Sequence, residues 1–293
     1  MMTLPFPLAV VGHDAGAANL ILAWMSAHRD EAYRCVMEGP AADLWVSRFP
    51  GQGKFKSVES ALRGAAALLS GTGWASDLEH HARRQARSLG IYSVAVLDHW
   101  VNYRERFVRN GEIVLPDEFW VTDPYALEEA KQCFPGHKIV IKPNLYIEEM
   151  LQKIGKPRPQ RPATEVLYVL EPIRTDWGRQ GPSGEFQALD YFVAHMHKLG
   201  LQNNTQVRLR PHPSDPAGKY RTWLKQNVQI AASLDDADSL AAAIDRADWV
   251  AGCESYAMVV ALAAERRVVS TLPPWAPACR LPHRGIMHLR ELS

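Results

Sequence analysis

The sequence predicts an α/β protein of two Rossmann-like, doubly wound domains facing a central cleft. Three observations predict it. Short apolar runs alternate with longer helical stretches along the whole chain, as they do around parallel sheets. The 293 residues suffice for two domains of roughly 150 residues each. The alternation breaks once, at a proline-rich stretch near the middle.

In the first half, Leu8–Val11 reads as a buried strand, followed by a small-residue turn at Ala15–Ala18 and a helix from Asn19 to Ala27. Cys35–Met37 is a second strand and Ala65–Leu69 a third, although its alanines suit a helix equally. A helix follows over Ser76–Leu89, with Ser76 as cap and Glu79 at the capping-box position. Tyr92–Leu97, Phe119–Val121 and Lys138–Ile141 complete the strands of this half. Between Lys142 and Pro162 lie Pro143, Pro157, Pro159 and Pro162, with Lys153, Lys156, Arg158 and Arg161. Such a segment suits neither a continuous helix nor a central strand, so it is read as the linker. The expected domains are residues 1–142 and 164–293, joined by 143–163. Beyond the linker come a strand at Val166–Leu170, a helix over Ser183–Leu199, and a strand at Gln206–Leu209. A helix at Ser239–Arg246, a strand at Trp249–Ala251, a helix from Tyr256 and a strand at Val268-Val269 follow.

Composition narrows the function. Hydrophobic residues make up 47% and charged residues 22%, with a net charge of +1. Those figures suit a globular protein and supply no footprint for nucleic acid, while a small anionic ligand needs only a local cluster. The four cysteines, Cys35, Cys133, Cys253 and Cys279, form no CxxC pair, so they read as free thiols of a reducing cytosol. Neither a signal peptide nor a membrane-spanning run is legible; the expectation is a cytoplasmic protein, with peripheral membrane contact left open.

Ligands of open α/β sheets bind beyond the carboxyl ends of the strands, and several polar loops meet that condition. Arg208 and Arg210 share one side of a strand, and Pro211 and Pro213 fix His212 just beyond it. A rigid His beside Arg suits a phosphate or diphosphate. Trp249–Val260 reads as strand, tight turn and helix: Gly252 permits close backbone approach, and Ser255 stands at the helix N-terminus, where an anion is favoured. Glu254 suits ribose hydroxyls. Ser255 as a simple N-cap is the competing reading.

The order Arg-x-Arg-Pro-His-Pro at 208–213, then Gly-x-Glu-Ser-x-Ala at 252–257, a helix, and Val268–Pro273 resembles the donor domain of GT-B glycosyltransferases. The resemblance spans residues 164–275. It is strongest to bacterial surface-polysaccharide enzymes, including sialyltransferase-like and glycerophosphotransferase-like families with a His-Pro motif. It implies that His212 and Ser255 hold the nucleotide phosphates. It also implies that the loop after the first strand, Gly12-His13-Asp14-Ala15-Gly16, faces the acceptor and carries the catalytic base. Asp14 is the first choice and His13 the alternative. The same loop lacks GxGxxG, which argues against a dehydrogenase.

Leu97–Phe107 is the densest polar and aromatic cluster. Trp100 and Tyr103 suit stacking on a sugar or base, and Arg104 or Arg106 suits a carboxylate or phosphate. Asp98 and His99 precede them, and Thr72 and Trp74 lie on another strand-end loop. His80-His81 read as a solvated helix face. Asp235, Asp236 and Asp238 read as a helix start rather than a metal-binding DxD, so no metal and no cofactor are expected. The resulting expectation is a metal-independent glycosyltransferase. Its donor is a nucleotide sugar, favoured as a CMP-nonulosonic acid, and its acceptor a glycan or protein hydroxyl in surface-glycan or glycoprotein synthesis. Two alternatives stand beside it: an isomerase or hydrolase resembling UDP-GlcNAc 2-epimerases, and a non-catalytic nucleotide-sugar binding protein.

Overall fold

The computed structural model describes residues 4–157, 164–202 and 204–293. The chain divides into two compact units, Met1–Tyr146 and Ile147–Ser293. Arg158, Pro159, Arg161 and Pro162 of the expected linker lie outside the described residues.

The N-terminal unit starts with β1 (Leu8–Gly12), buried on both faces as a parallel-sheet strand should be. Then come α1 (Ala15–Ser26), β2 (Tyr33–Met37), α2 (Gly39–Arg48), α3 (Val58–Leu62), β3 (Ala67–Ser70), α4 (Leu78–Ser88) and β4 (Tyr92–Val96). A small antiparallel hairpin, β5 (Val108–Arg109) and β6 (Glu112–Ile113), precedes β7 (Glu118–Val121), α5 (Pro124–Cys133) and β8 (Lys138–Ile141). The main sheet is parallel in the order β2-β1-β3-β4-β7-β8. One apolar layer packs Ile21, Met25 and Trp45 on it; the other packs Leu62, Ala82 and Ala86.

Three expectations are corrected here. Ala15–Ala18 form the first turn of α1 rather than a loop. Glu79 makes no capping box: it is 1% exposed and turned into the unit. His80 is buried, not solvated, while His81 meets Glu59 at 2.9 Å.

Within the proline-rich stretch, α6 (Leu145–Lys153) forms between Pro143 and Pro157, a span free of proline. The C-terminal unit then runs β9 (Glu165–Val169), α7 (Gly184–His195), β10 (Gln206–Arg210), α8 (Arg221–Gln226) and β11 (Ala231–Leu234). It ends with α9 (Leu240–Arg246), β12 (Trp249–Gly252), α10 (Tyr256–Ala263), β13 (Arg267–Ser270) and β14 (Ile286–His288). All six strands are parallel, in the order β11-β10-β9-β12-β13-β14. Val166, Tyr168, Phe192, Leu209 and Trp249 centre its core. Asp235 starts no helix. It follows β11, its side chain is fully buried, and it pairs with Arg208 and Arg210.

Both sheets reverse their strand order once. In the N-terminal unit the reversal falls between β1 and β3; in the C-terminal unit it falls between β9 and β12. Those switch points are where doubly wound sheets open to ligands.

Candidate functional site

At the N-terminal switch point the loop after β1 meets the loop after β3. Asp14 Oδ1 lies 2.7 Å from His13 Nδ1, and Asp14 Oδ2 accepts the Trp74 N–H at 3.0 Å. Asp14 sits at the N-cap position of α1 but makes no capping bond with its side chain. Its carboxylate serves the His13 ring and the neighbouring loop instead. The ring's other nitrogen, Nε2, faces Gly39, where an added Cβ would lie 2.6 Å from it. Gly39 also has φ +48°, so both space and backbone require glycine there.

Beneath this pair, Glu79 stitches the two loops together. Its Oε1 accepts the His13 N–H at 3.0 Å and its Oε2 the Gly73 N–H at 2.5 Å. Burial raises the Glu79 pKa, and Arg83 opposes that rise from one turn further along α4. Arg83 is itself fully buried, bonding Gly71 O at 2.9 Å and Ser70 Oγ at 3.1 Å, and burial draws its pKa down to about 10.

The loop after β4 splits the expected acceptor residues into two sets. Arg106 is 6% exposed and bonds Asp98 at 2.8 Å and Thr72 Oγ1 at 3.3 Å. Thr72 is buried and donates to Val96 O. Trp100 donates to Asp123, and Tyr103 is 1% exposed. Thr72, Trp100, Tyr103 and Arg106 are therefore framework rather than ligand-facing groups, because their polar atoms or faces are enclosed by the fold. Arg104 and Trp74 are exposed, His99 and Asp98 partly so; the Arg106 guanidinium lies 5.5 Å from the Trp74 ring. Beside these loops runs a polar groove of about 510 Å³, lined by Glu38, Ser76, His80, Arg84, Arg109 and Glu112. Arg109 ties it to the switch point by donating to Gly73 O at 2.8 Å.

The C-terminal unit sorts its residues in the same way. Arg208 is buried; it pairs with Asp235 and Glu165 and donates to Ala243 O. A guanidinium so committed is not a phosphate ligand, which corrects the expectation for Arg208. Arg210, partly exposed, also bonds Asp235 at 2.5 Å. Gly252 serves the sheet: an added Cβ would lie 2.7 Å from Val169 Cγ2 of β9.

His212 is exposed and held from below. Asp215 accepts its N–H at 3.1 Å and also bonds Lys219 and the Tyr220 hydroxyl. Ser214 N–H points at His212 Nδ1 at 3.1 Å. A backbone N–H can only donate, so Nδ1 is an acceptor and the ring proton sits on Nε2. Partial desolvation of the ring, opposed by Asp215 and assisted by Lys219 and Arg174, lowers the His212 pKa and so favours the neutral form. The result is an Nε2–H donor with no hydrogen-bond partner among the described residues.

At the switch point itself, Glu171 after β9 reaches the turn after β12. Its Oε1 accepts the N–H groups of Cys253 at 3.0 Å and Glu254 at 2.8 Å. Burial lifts the Glu171 pKa to about 7, and the Glu254 charge adds to that rise against the backbone bonds. Ser255 is the N-cap of α10 and accepts the Ala257 N–H at 3.2 Å. Glu254, expected to meet ribose, is engaged by Arg280 through Nε at 3.0 Å. Arg174, Glu171, Asp215 and Arg280 escaped sequence reasoning. The first two lie in Glu171-Pro172-Ile173-Arg174, immediately beyond a strand end, which was the usable signal.

No family model matches the chain, and no curated protein matches it in sequence. Solved structures match it in fold. The glycotransferase of kitacinnamycin superposes with a TM-score of 0.57 at 12% identity, covering 98% of this chain and 87% of that one. A putative UDP-N-acetylglucosamine 2-epimerase from Listeria monocytogenes gives 0.57 at 13%, covering 89% and 78%. The UDP-GlcNAc 2-epimerase from Neisseria meningitidis bound to UDP-GlcNAc gives 0.54 at 8%, covering 86% and 78%. The protein thus has the two-domain, Rossmann-like GT-B fold. Among the described residues, no helix is long and apolar enough to cross a membrane.

Proposed function

We propose that the protein is a glycosyltransferase that moves a sugar from a nucleotide-activated donor to a hydroxyl acceptor without a metal. The observation that carries this reading is the His13–Asp14 pair at the N-terminal switch point. An imidazole tethered through Nδ1 to a carboxylate offers Nε2 as a proton acceptor, and the carboxylate stabilises the imidazolium that forms. Both Asp14 oxygens are engaged, so His13 takes the role of base and Asp14 that of its orienting partner. In the direct displacement, the acceptor oxygen attacks the anomeric carbon, its proton passes to His13 Nε2, and the bond to the donor phosphate breaks. The acceptor lies in the polar groove beside these loops, with Trp74 exposed for a sugar face.

In the C-terminal unit, the donor phosphate meets the Nε2–H of His212, the Ser255 hydroxyl and the exposed Arg174. Ribose hydroxyls compete with Arg280 for Glu254; that pair is half-exposed on its arginine side, so its exchange costs little. The favoured donor remains a CMP-activated nonulosonic acid in surface-glycan or glycoprotein synthesis. Its carboxylate would be met by Arg104, since Arg106 is committed to Asp98.

A second reading, an epimerase acting on a UDP-sugar, is favoured by the fold likeness to the two epimerase structures. One experiment separates them. The protein is incubated with CMP-activated nonulosonic acid and with UDP-N-acetylglucosamine, each with and without an oligosaccharide acceptor, and products are followed by mass spectrometry and NMR. Acceptor-dependent transfer is expected. Epimerisation or release of free sugar without acceptor would replace the transferase reading with the second one. Binding without any turnover would reduce the protein to a nucleotide-sugar binding module.

A further inference from the structure

We infer that Glu171 is a specificity-determining residue: it fills the backbone N–H pair that would receive a second phosphate, and so selects donors with a single phosphate linkage. The inference rests on the donor-site reading above and names the donor class.

The N–H groups of Cys253 and Glu254 lie at the C-terminal switch point, just ahead of α10, where an incoming anion is ordinarily bound. Here one carboxylate oxygen takes both, and the same carboxylate also engages the Ser255 N–H. A phosphate brought to the same place meets occupied donors and a like charge, and like charges in a partly desolvated site repel strongly. The remaining positive groups of the unit's strand-end loops are already matched: Arg208 and Arg210 with Asp235 and Glu165, and Arg280 with Glu254. Arg174, Arg179 and Arg284 are the exceptions, exposed with no carboxylate partner among the described residues, and Arg179 lies over the Trp275 ring. The charge of Arg174 is felt at both His212 and Tyr220, so Arg174 is the one of the three that stands beside the His212 loop. At the His212 loop, the Arg174 guanidinium and the His212 Nε2–H suit the single negative charge of a phosphodiester. A diphosphate bridge carries two.

The discrimination depends on pH, because protonated Glu171 no longer repels. The titratable and charged groups that face it are Tyr168 on β9, Cys253 and Glu254 after β12, and Cys279 and Arg280 after β13. Among these, Glu254 opposes ionisation of Glu171, and burial works in the same direction. Its midpoint near pH 7 therefore lies inside an accessible range.

Affinities of CMP and CDP are measured by calorimetry for the full-length wild type and Glu171→Gln at pH 6 and pH 8. The base is common to both probes, and ionisation of the terminal phosphate cancels in the ratio. The wild type is expected to prefer CMP by roughly ten-fold or more at pH 8, with the preference narrowing at pH 6. Glu171→Gln is expected to gain CDP affinity, hold CMP affinity, and lose the pH dependence. Equal or tighter CDP binding by the wild type at pH 8 would overturn the inference while leaving the donor-site reading intact. The same follows from an unchanged ratio in Glu171→Gln. Binding of neither nucleotide would overturn both. The wild-type pH series needs no variant, so a Glu171→Gln that fails to fold does not blunt the test.

Discussion

The two switch points have the same construction and different charge. In each, a glutamate beyond a strand end gathers backbone N–H groups of the strand-end loops: the buried Glu79 binds His13 and Gly73, and the half-buried Glu171 binds Cys253 and Glu254. Glu79 divides its two oxygens between two loops and has Arg83 one turn away on α4. Glu171 spends its bonds on the N–H groups of a single turn, Cys253, Glu254 and Ser255, and its near neighbour is another carboxylate, Glu254. Location in the fold does not decide the role of such an acid; the counter-charge does. A compensated carboxylate holds loops in place, whereas an uncompensated one is poised to change its charge when a ligand or a proton arrives.

The largest expected effect falls on the chemistry that the Glu79 clamp supports. His13→Ala should lower kcat by about 10²–10⁴-fold, the usual worth of a positioned base, with nucleotide affinity retained. Steady-state kinetics beside calorimetry check this. Equal loss of both would place His13 with the donor instead. Next, Glu79→Ala should destabilise the protein by about 3–5 kcal/mol, because it strands the Arg83 charge and two N–H groups. Glu171→Gln at pH 7.5 should cost far less, since an amide oxygen still accepts both bonds. Urea unfolding of the two variants tests the contrast, and similar losses would erase it.

A third effect concerns proton linkage. Glu171 has a folded pKa raised from 4.5 to about 7, so between those values the folded protein keeps a proton the unfolded chain has released. Stability from this group is thus full below pH 4.5 and is lost as pH rises toward 7, by on the order of 3 kcal/mol. Unfolding at pH 5 and pH 7.5 should show this fall in the wild type and a smaller one in Glu171→Gln. The raised Glu79 pKa contributes with the same sign in both proteins and cancels in the comparison. The smallest effect is Gly39→Ala, which crowds His13 Nε2 and should reduce kcat by about ten-fold while moving a positive φ into strain.

The fold was largely legible because parallel-sheet strands are continuous apolar runs, and Leu8–Val11, Tyr92–Leu97 and Lys138–Ile141 stand out as such. The elements that escaped are short or half-exposed, such as β11, the β5–β6 hairpin and α8. The residue types of the site were legible at strand ends, but their commitments were not. Arg208 and Arg210 look alike on one strand face, yet Arg208 is consumed by Asp235 and Glu165 through pairings more than twenty residues apart in sequence. Likewise Trp100, Tyr103 and Arg106 form a cluster in sequence whose burial only the packed loop reveals. Glu79 matched a capping pattern and turned inward instead, since two loop N–H groups and a buried arginine outweigh one helix cap.

The most direct test of the nucleotide-dependent reading is calorimetric titration of a nucleotide panel, led by CMP, into the wild type and His212→Ala. Saturable binding by the wild type is expected, with about 10–100-fold loss in His212→Ala, the worth of one hydrogen bond to a charged group. Absence of any cytidine or uridine nucleotide binding, or equal affinity in the two proteins, would contradict it.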